Sequence, residues 1–216
     1  MKTTRARMAG MNLLRVLLLA LCVPLAHAEV IAPDVLVKSI TKEVVTVLRE
    51  DKDIRAGNPK KVADLIETKI LPHFNFSRMT RIAMARNWRL ASPEQQKELT
   101  AEFQTLLVRT YSTALSNFRD QQIDYKPLRA RPEDTDVTVR TEVKQAGASQ
   151  PVGIDYEMEK SPEGWKVYDV KVGGVSLVTT YRETFASEVR AKGVDGLIKS
   201  LAEKNRQSAQ SKSGKT

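Results

Sequence analysis

Two stretches decide the fold class: DVTVRTEVKQ (residues 136–145) and PVGIDYEMEK (residues 151–160). In the first, Val137, Val139, Thr141 and Val143 alternate with Thr138, Arg140, Glu142 and Lys144. In the second, Val152, Ile154, Tyr156 and Met158 alternate with Asp155, Glu157 and Glu159. Successive side chains of a strand point to opposite faces, so a sustained period of two marks strands with one apolar face. Ser161-Pro162-Glu163-Gly164 is a tight turn, and Trp165 to Val172 returns as a further strand ended by Gly173-Gly174. Upstream, Ile123 to Arg129 is a weak strand, confined to the edge by Pro127, which has no N–H to donate. Four antiparallel strands are predicted, with a bulge or close backbone approach at Gly153.

On either side of these strands the period lengthens to that of a helix. Pro33 to Asp51 carries Leu36, Val37, Ile40, Val44, Val47 and Leu48 on one stripe. Asn58-Pro59 caps and opens a second helix, which Pro72 stops, and a short helix is predicted from Phe76 to Arg86. Ser92-Pro93-Glu94-Gln95 is a capping box with proline at the first helical position, ahead of a long apolar stripe from Leu99 to Phe118. After the strands, one helix is predicted through Leu177, Tyr181 and Phe185 and another from Val194 to Lys204. The polar, lysine-dotted segment 207–216 is predicted to be disordered. Helices covering one face of an antiparallel sheet make the class α+β, and residues 29–206 one domain.

The first 28 residues read as an export signal. Lys2, Arg5, Arg7 and Arg15 form a basic n-region without an acid, Val16 to Val23 is the apolar core, and Ala26-His27-Ala28 is a cleavage site. The apolar run is too short to span a bilayer. The full chain of 216 residues has a formal charge of +9. Four cations and no anion leave with the signal, so residues 29–216 carry +5, which weakens a nucleic-acid reading. Cys22, the only cysteine, leaves too, excluding disulfide and thiol chemistry from the mature domain. Export without disulfides suits a bacterial periplasm.

Catalytic and metal-binding patterns are absent from the sequence. His73 is the one histidine after the signal, too few for an ordinary zinc shell. No nucleophile elbow, P-loop, dinucleotide-binding or zinc-protease motif occurs. Strand alternation puts Asp155, Glu157 and Glu159 on the face away from the apolar layer, where a solvated role is expected. On composition alone the apolar layer is plain core. The strand glycines and the tyrosines at 111, 156, 168 and 181 tilt the reading toward a pocket, apolar inside and wet at its rim.

Two sets of motifs carry a resemblance. The first is Phe74-Asn75-Phe76-Ser77-Arg78-Met79, Asn87-Trp88-Arg89, Ala91 to Gln95 and Leu107 to Tyr111. The second is Gly164 to Val170, Gly174 to Val178, Tyr181-Arg182 with Phe185, and Gly193 to Leu197. Together they resemble the toluene-tolerance auxiliary family, the periplasmic phospholipid-binding component of the Mla lipid-asymmetry ABC system. Asn75 stands where that family usually shows Asp, and Ala85-Arg86 where it tends to show Leu-Gly. The resemblance implies an NTF2-like sheet and a helical subdomain enclosing the acyl chains of a diacyl phospholipid, carried as cargo with no cofactor. It implies a monomeric shuttle, docking to an inner-membrane MCE–permease–ATPase complex and to an outer-membrane lipoprotein–porin complex.

On that reading Val139, Val152, Ile154 and Tyr156 line the tail cavity with Leu107 and Tyr111, while Val170, Val172, Leu177 and Tyr181 close it. No Arg/Lys cluster converges beside the apolar strands, so little head-group preference is expected. Two other functions compete: an NTF2-like isomerase or dehydratase, which needs a carboxylate or histidine facing the cavity, and a periplasmic chaperone or adaptor that binds polypeptide.

Overall fold

A computed structural model describes residues 31–118, 120–144, 147 and 149–213. The export signal and residues 214–216 of the tail lie outside the described residues. Helix α1 (Pro33–Glu50) starts on Pro33 and buries Val37, Val44 and Leu48. Asp51 then caps a single turn, α2 (Lys52–Arg55), its carboxylate accepting from the N–H groups of Asp53 and Ile54 at 2.8 and 3.0 Å. Asn58 caps α3 (Pro59–Leu65), which widens into a π turn over Ile66–Ile70 and a 3-10 turn over Leu71–His73.

Asn75 caps α4 (Phe76–Met84), accepting from Arg78 N at 2.9 Å. A 3-10 segment, Ala85–Leu90, leads on to α5 (Pro93–Ser116). The capping box before α5 forms in both directions: Gln95 N donates to Ser92 Oγ at 3.2 Å, and Ser92 N donates to Gln95 Oε1 at 2.9 Å.

The sheet is an antiparallel meander in the order β1 (Gln122–Tyr125), β2 (Asp136–Lys144), β3 (Val152–Ser161), β4 (Gly164–Val172) and β5 (Val175–Ser176). The class is α+β, with five strands instead of four. β5 pairs for only two residues, too few to show alternation, after a turn in which Gly173 and Gly174 hold φ of 58° and 83°. β1 stops at Tyr125, two residues short of Pro127.

The bulge is not at Gly153, which pairs with Glu142 in regular register. It lies at Tyr168, because Glu157 pairs with Asp169 while Met158 pairs with Val167. That extra residue lets Trp165 and Val167 share a face with Val170 and Val172.

Beyond β5 the chain forms a 3-10 turn, Thr179–Tyr181, where a helix through Leu177 is predicted, and then α6 (Arg182–Ser213). Gly193, at φ 72° and ψ −177°, breaks α6 into two stretches, as the two predicted helices require. The second stretch runs on to Ser213, through most of the segment expected to be disordered. Asn205 anchors it, its Nδ2 donating to Glu102 O at 3.0 Å and Glu102 Oε2 at 2.6 Å, and the alanine, glutamine and lysine residues beyond propagate helix readily.

Three apolar clusters hold these elements. One joins α4, α5 and α6 through Met79, Leu99, Phe103, Phe185 and Leu197. The second fills one end of the sheet with Val37, Val137, Val139, Met158, Trp165 and Val167. The third packs α1 on α2 and α3 through Val44, Leu48, Ile54, Val62, Leu65 and Ile66.

Candidate functional site

Between the second and third clusters the packing is left open, enclosing a cavity of about 480 Å³. Its floor is the inner face of the sheet: Ile123, Val143, Ile154, Tyr156, Val170 and Val172. One wall is α1, where Val37, Ile40, Thr41, Val44, Val45 and Leu48 recur at the helical spacing that aims a single stripe inward. The C-terminal half of α5 supplies Leu107, Val108, Tyr111 and Leu115, and the turns after α3 supply Ile66, Ile70, Leu71 and His73. No aspartate or glutamate lines the cavity among the described residues.

Seven of the ten residues predicted for the site line this cavity: Leu107, Tyr111, Ile154, Tyr156, Val170, Val172 and Leu177. Val139 does not. It is 2% exposed and packs in the second cluster, although its cross-strand partner Tyr156 lies on the floor. Val152, the first residue of β3, is 46% exposed at the other end of the strand. Tyr181 turns into the helical cluster, its ring edge-on to Phe103 at 5.1 Å. Alternation identifies a face but not where along a strand the enclosed part begins and ends. The walls from α1 and residues 66–73 were not predicted, although the α1 stripe was visible as an amphipathic helix.

The tyrosine hydroxyls inside are bonded to neighbouring hydroxyls. The Tyr156 hydroxyl interacts with Thr141 and Thr41, and burial pushes it up to about 12. Tyr111 is likewise raised by burial and bonds to the Tyr181 hydroxyl. His73 is lowered by burial and then by Lys166, against a weaker opposite pull from Glu43, so the wall favours its uncharged form. Among the described residues, no group of three His, Cys, Asp or Glu side chains is placed to hold a metal. This arrangement can hold something long and apolar; it offers little to bind a charge within.

The outer face of the sheet is not simply solvated. Arg78 of α4 ion-pairs with Glu159, bonds Asp136 at 2.7 Å and lies 3.6 Å over the Tyr168 ring. Asn75 Nδ2 donates to Glu159 at 2.6 Å, and Lys171 pairs with Glu157 at 2.7 Å. The Arg78 and Asn75 contacts clamp the start of α4 to the sheet, while Lys171–Glu157 ties β4 to β3.

Residues 38–203 match the family model described as MlaC protein. The chain belongs to the MlaC family. The intermembrane phospholipid transport system binding protein MlaC of Haemophilus influenzae is 21% identical over 169 residues, covering 77% of this chain and 79% of that protein. Toluene tolerance protein ttg2D of Pseudomonas putida is 26% identical over 181 residues, 83% of each chain. A phospholipid-binding protein from Ralstonia solanacearum, solved in complex with a phospholipid, is 45% identical. It superposes with a TM-score of 0.75 over 82% of this chain and 98% of its own. Membership of the MlaC family thus accompanies the α+β fold and the cavity.

Proposed function

We propose that this protein is a periplasmic phospholipid carrier that shelters acyl chains in the cavity between α1, α5 and the sheet. The observation that carries the reading is the cavity itself, about 480 Å³ and lined almost wholly by aliphatic and aromatic side chains. Two acyl tails hold on the order of 30 methylenes at ~0.8 kcal/mol each, so about 25 kcal/mol opposes their passage through water. A sheltering cavity removes most of that opposition and needs no catalytic group. The phospholipid-bound Ralstonia relative and the names of the curated relatives support the same cargo.

In this reading residues 1–28 direct export and are removed, and the mature monomer shuttles lipid between an inner-membrane MCE–permease–ATPase complex and an outer-membrane lipoprotein–porin complex. An isomerase or dehydratase needs a carboxylate or histidine facing its substrate; the described lining holds no carboxylate and one histidine, His73, so the lipid assay must also exclude that reading.

The test is denaturing mass spectrometry of protein purified from bacteria without detergent, followed by exchange of labelled lipid between two vesicle populations. Stoichiometric diacyl phospholipid and accelerated exchange are expected. An empty protein, or co-purifying peptide, overturns the proposal.

A further inference from the structure

Helix α4 ends in a basic surface that the cavity does not use. From Thr68 to Pro93 the sequence contains no aspartate or glutamate. Arg81 lies in the last turn of α4, where the Ala85 N–H closes the helix on the Arg81 carbonyl. Arg86 and Arg89 follow in the 3-10 segment Ala85–Leu90, three residues apart, a spacing that brings side chains into line in a 3-10 helix. Arg182, the first residue of α6, joins them, its Nε donating to the Ile82 carbonyl at 3.0 Å. All four arginines are exposed, and none of them forms an ion pair among the described residues.

The backbone beneath this surface is held from inside. Met79, Ala83, Met84 and Ala91 are buried in the helical cluster, and Ile82 and Trp88 pack against it. Gln96 Nε2 of α5 donates to the carbonyls of Trp88 and Ala91 at 3.3 and 3.2 Å. The arginines are turned away from that cluster together with Leu90, which at 66% is the most exposed large hydrophobic residue among those described. Glu183, exposed in the position after Arg182, offsets one of the four charges. Neither Leu90 nor any of the four arginines belongs to the cavity lining.

We propose that this surface docks the protein on anionic phospholipid bilayers, with Arg81, Arg86, Arg89 and Arg182 on lipid phosphates and Leu90 entering the head-group zone. This rests on the carrier reading above, which gives the protein membranes to visit. A guanidinium is weakly hydrated, and its fork of N–H donors matches phosphate oxygens. A folded protein partner asks for a desolvated centre of apolar or aromatic side chains. One leucine among arginines does not supply it, whereas a bilayer asks for positive charge and a side chain that can enter its interface. Attraction to the surface also speeds the encounter of a shuttle with the membrane it serves.

The experiment co-sediments the full chain with vesicles of phosphatidylcholine, alone or mixed with an equal amount of phosphatidylglycerol. Binding to the mixed vesicles is expected at about 0.15 M salt and should be lost at about 1 M, where the Debye length falls from about 8 Å to about 3 Å. Arg81→Gln/Arg86→Gln/Arg89→Gln should weaken binding about a hundredfold, at about fivefold per basic residue beside an anionic surface. Leu90→Ser should weaken it too, with the salt dependence unchanged. Lys52→Gln/Lys60→Gln/Lys61→Gln removes the same charge from exposed lysines of α2 and α3 and should bind close to wild type. Ile154→Asp, which alters the cavity floor, should also bind like wild type. Thermal unfolding of each variant checks that the fold is intact.

Equal binding to both vesicle compositions overturns the proposal, as does a triple arginine variant that binds like wild type. So does an equal loss in the lysine variant, which would make the attraction a matter of net charge. Vesicle binding that disappears in folded Ile154→Asp would place the contact at the cavity and overturn it as well. Soluble polyglutamate is a further arm: arginine-dependent binding to it, without binding to vesicles, would make the partner an acidic polypeptide. The carrier reading fails separately, on protein purified without phospholipid, whatever the vesicles show.

Discussion

Removing the cargo should cost this protein a large share of its stability. An apolar cavity left empty costs about 24 cal/mol per Å³ by the calibration from cavity-forming core substitutions. Applied to about 480 Å³, that is about 12 kcal/mol, comparable with the whole stability of a domain, ~5–15 kcal/mol. Water entering at the rim and α1 settling toward the sheet both recover part of it. If three quarters is recovered, about 3 kcal/mol remains, and at 2–4 °C per kcal/mol for a domain of this size the melting point falls by roughly 6–12 °C. Mass action from retained lipid acts in the same direction. The assay is thermal unfolding before and after delipidation, with small-angle scattering to detect contraction. A melting point and dimensions that both stay constant would refute the reasoning, because no sizeable cavity would then have been emptied.

Ile154→Asp puts a carboxylate on the cavity floor and should lower bound lipid at least tenfold while the protein stays folded, whereas Val139→Ala should cost about 2 kcal/mol of stability and leave lipid per folded molecule unchanged. Lipid extraction and denaturant melts of the pair check both. Ala85→Gly should stabilise by about 1 kcal/mol, since Ala85 holds φ 50° and ψ −126° on an exposed turn that glycine adopts without strain. A lower denaturation midpoint for that variant would contradict it. The pKa of His73 is lowered in the folded state, so the unfolded chain binds its proton first as pH falls. Its contribution is complete above the ordinary histidine value near 6.5 and is lost below it; His73→Gln should therefore lose less stability than wild type between about pH 7 and 5.

The sheet was legible because Val137 to Val143 and Val152 to Met158 follow a period of two, and no helix accommodates that pattern. The helix starts at Asn58, Asn75 and Ser92 were legible because each cap is a local bond between a side chain and the next turn. The register of β4 was not. It depends on the bulge at Tyr168, which neither glycine nor proline marks. The site was legible as a face and illegible as a volume: Val139 and Ile154 point the same way, yet one is covered by Val37 and Met158 and the other is left open. Which residues fill a space depends on helices distant in sequence, and the α1 stripe alone does not say whether it meets protein or a void. The helical run to Ser213 is illegible in the sequence because its outer turns have no apolar periodicity, and its anchor, Asn205, is a polar residue bonded across to Glu102.

Helix α5 lives in two environments. Its N-terminal half sits in close-packed protein through Leu99 and Phe103, both without measurable exposure, while its C-terminal half faces the cavity through Leu107, Tyr111 and Leu115. One continuous rod is therefore closed in by protein at one end, while its other end packs on protein through Leu106, Val108 and Leu115 and also borders the cavity. Loading and unloading would then change amide exchange as a gradient along a single helix, with the amides near Phe103 indifferent and those near Leu115 more protected when the cavity is full. Such a helix would work as a gauge, anchored in close-packed protein and read where it borders the cavity.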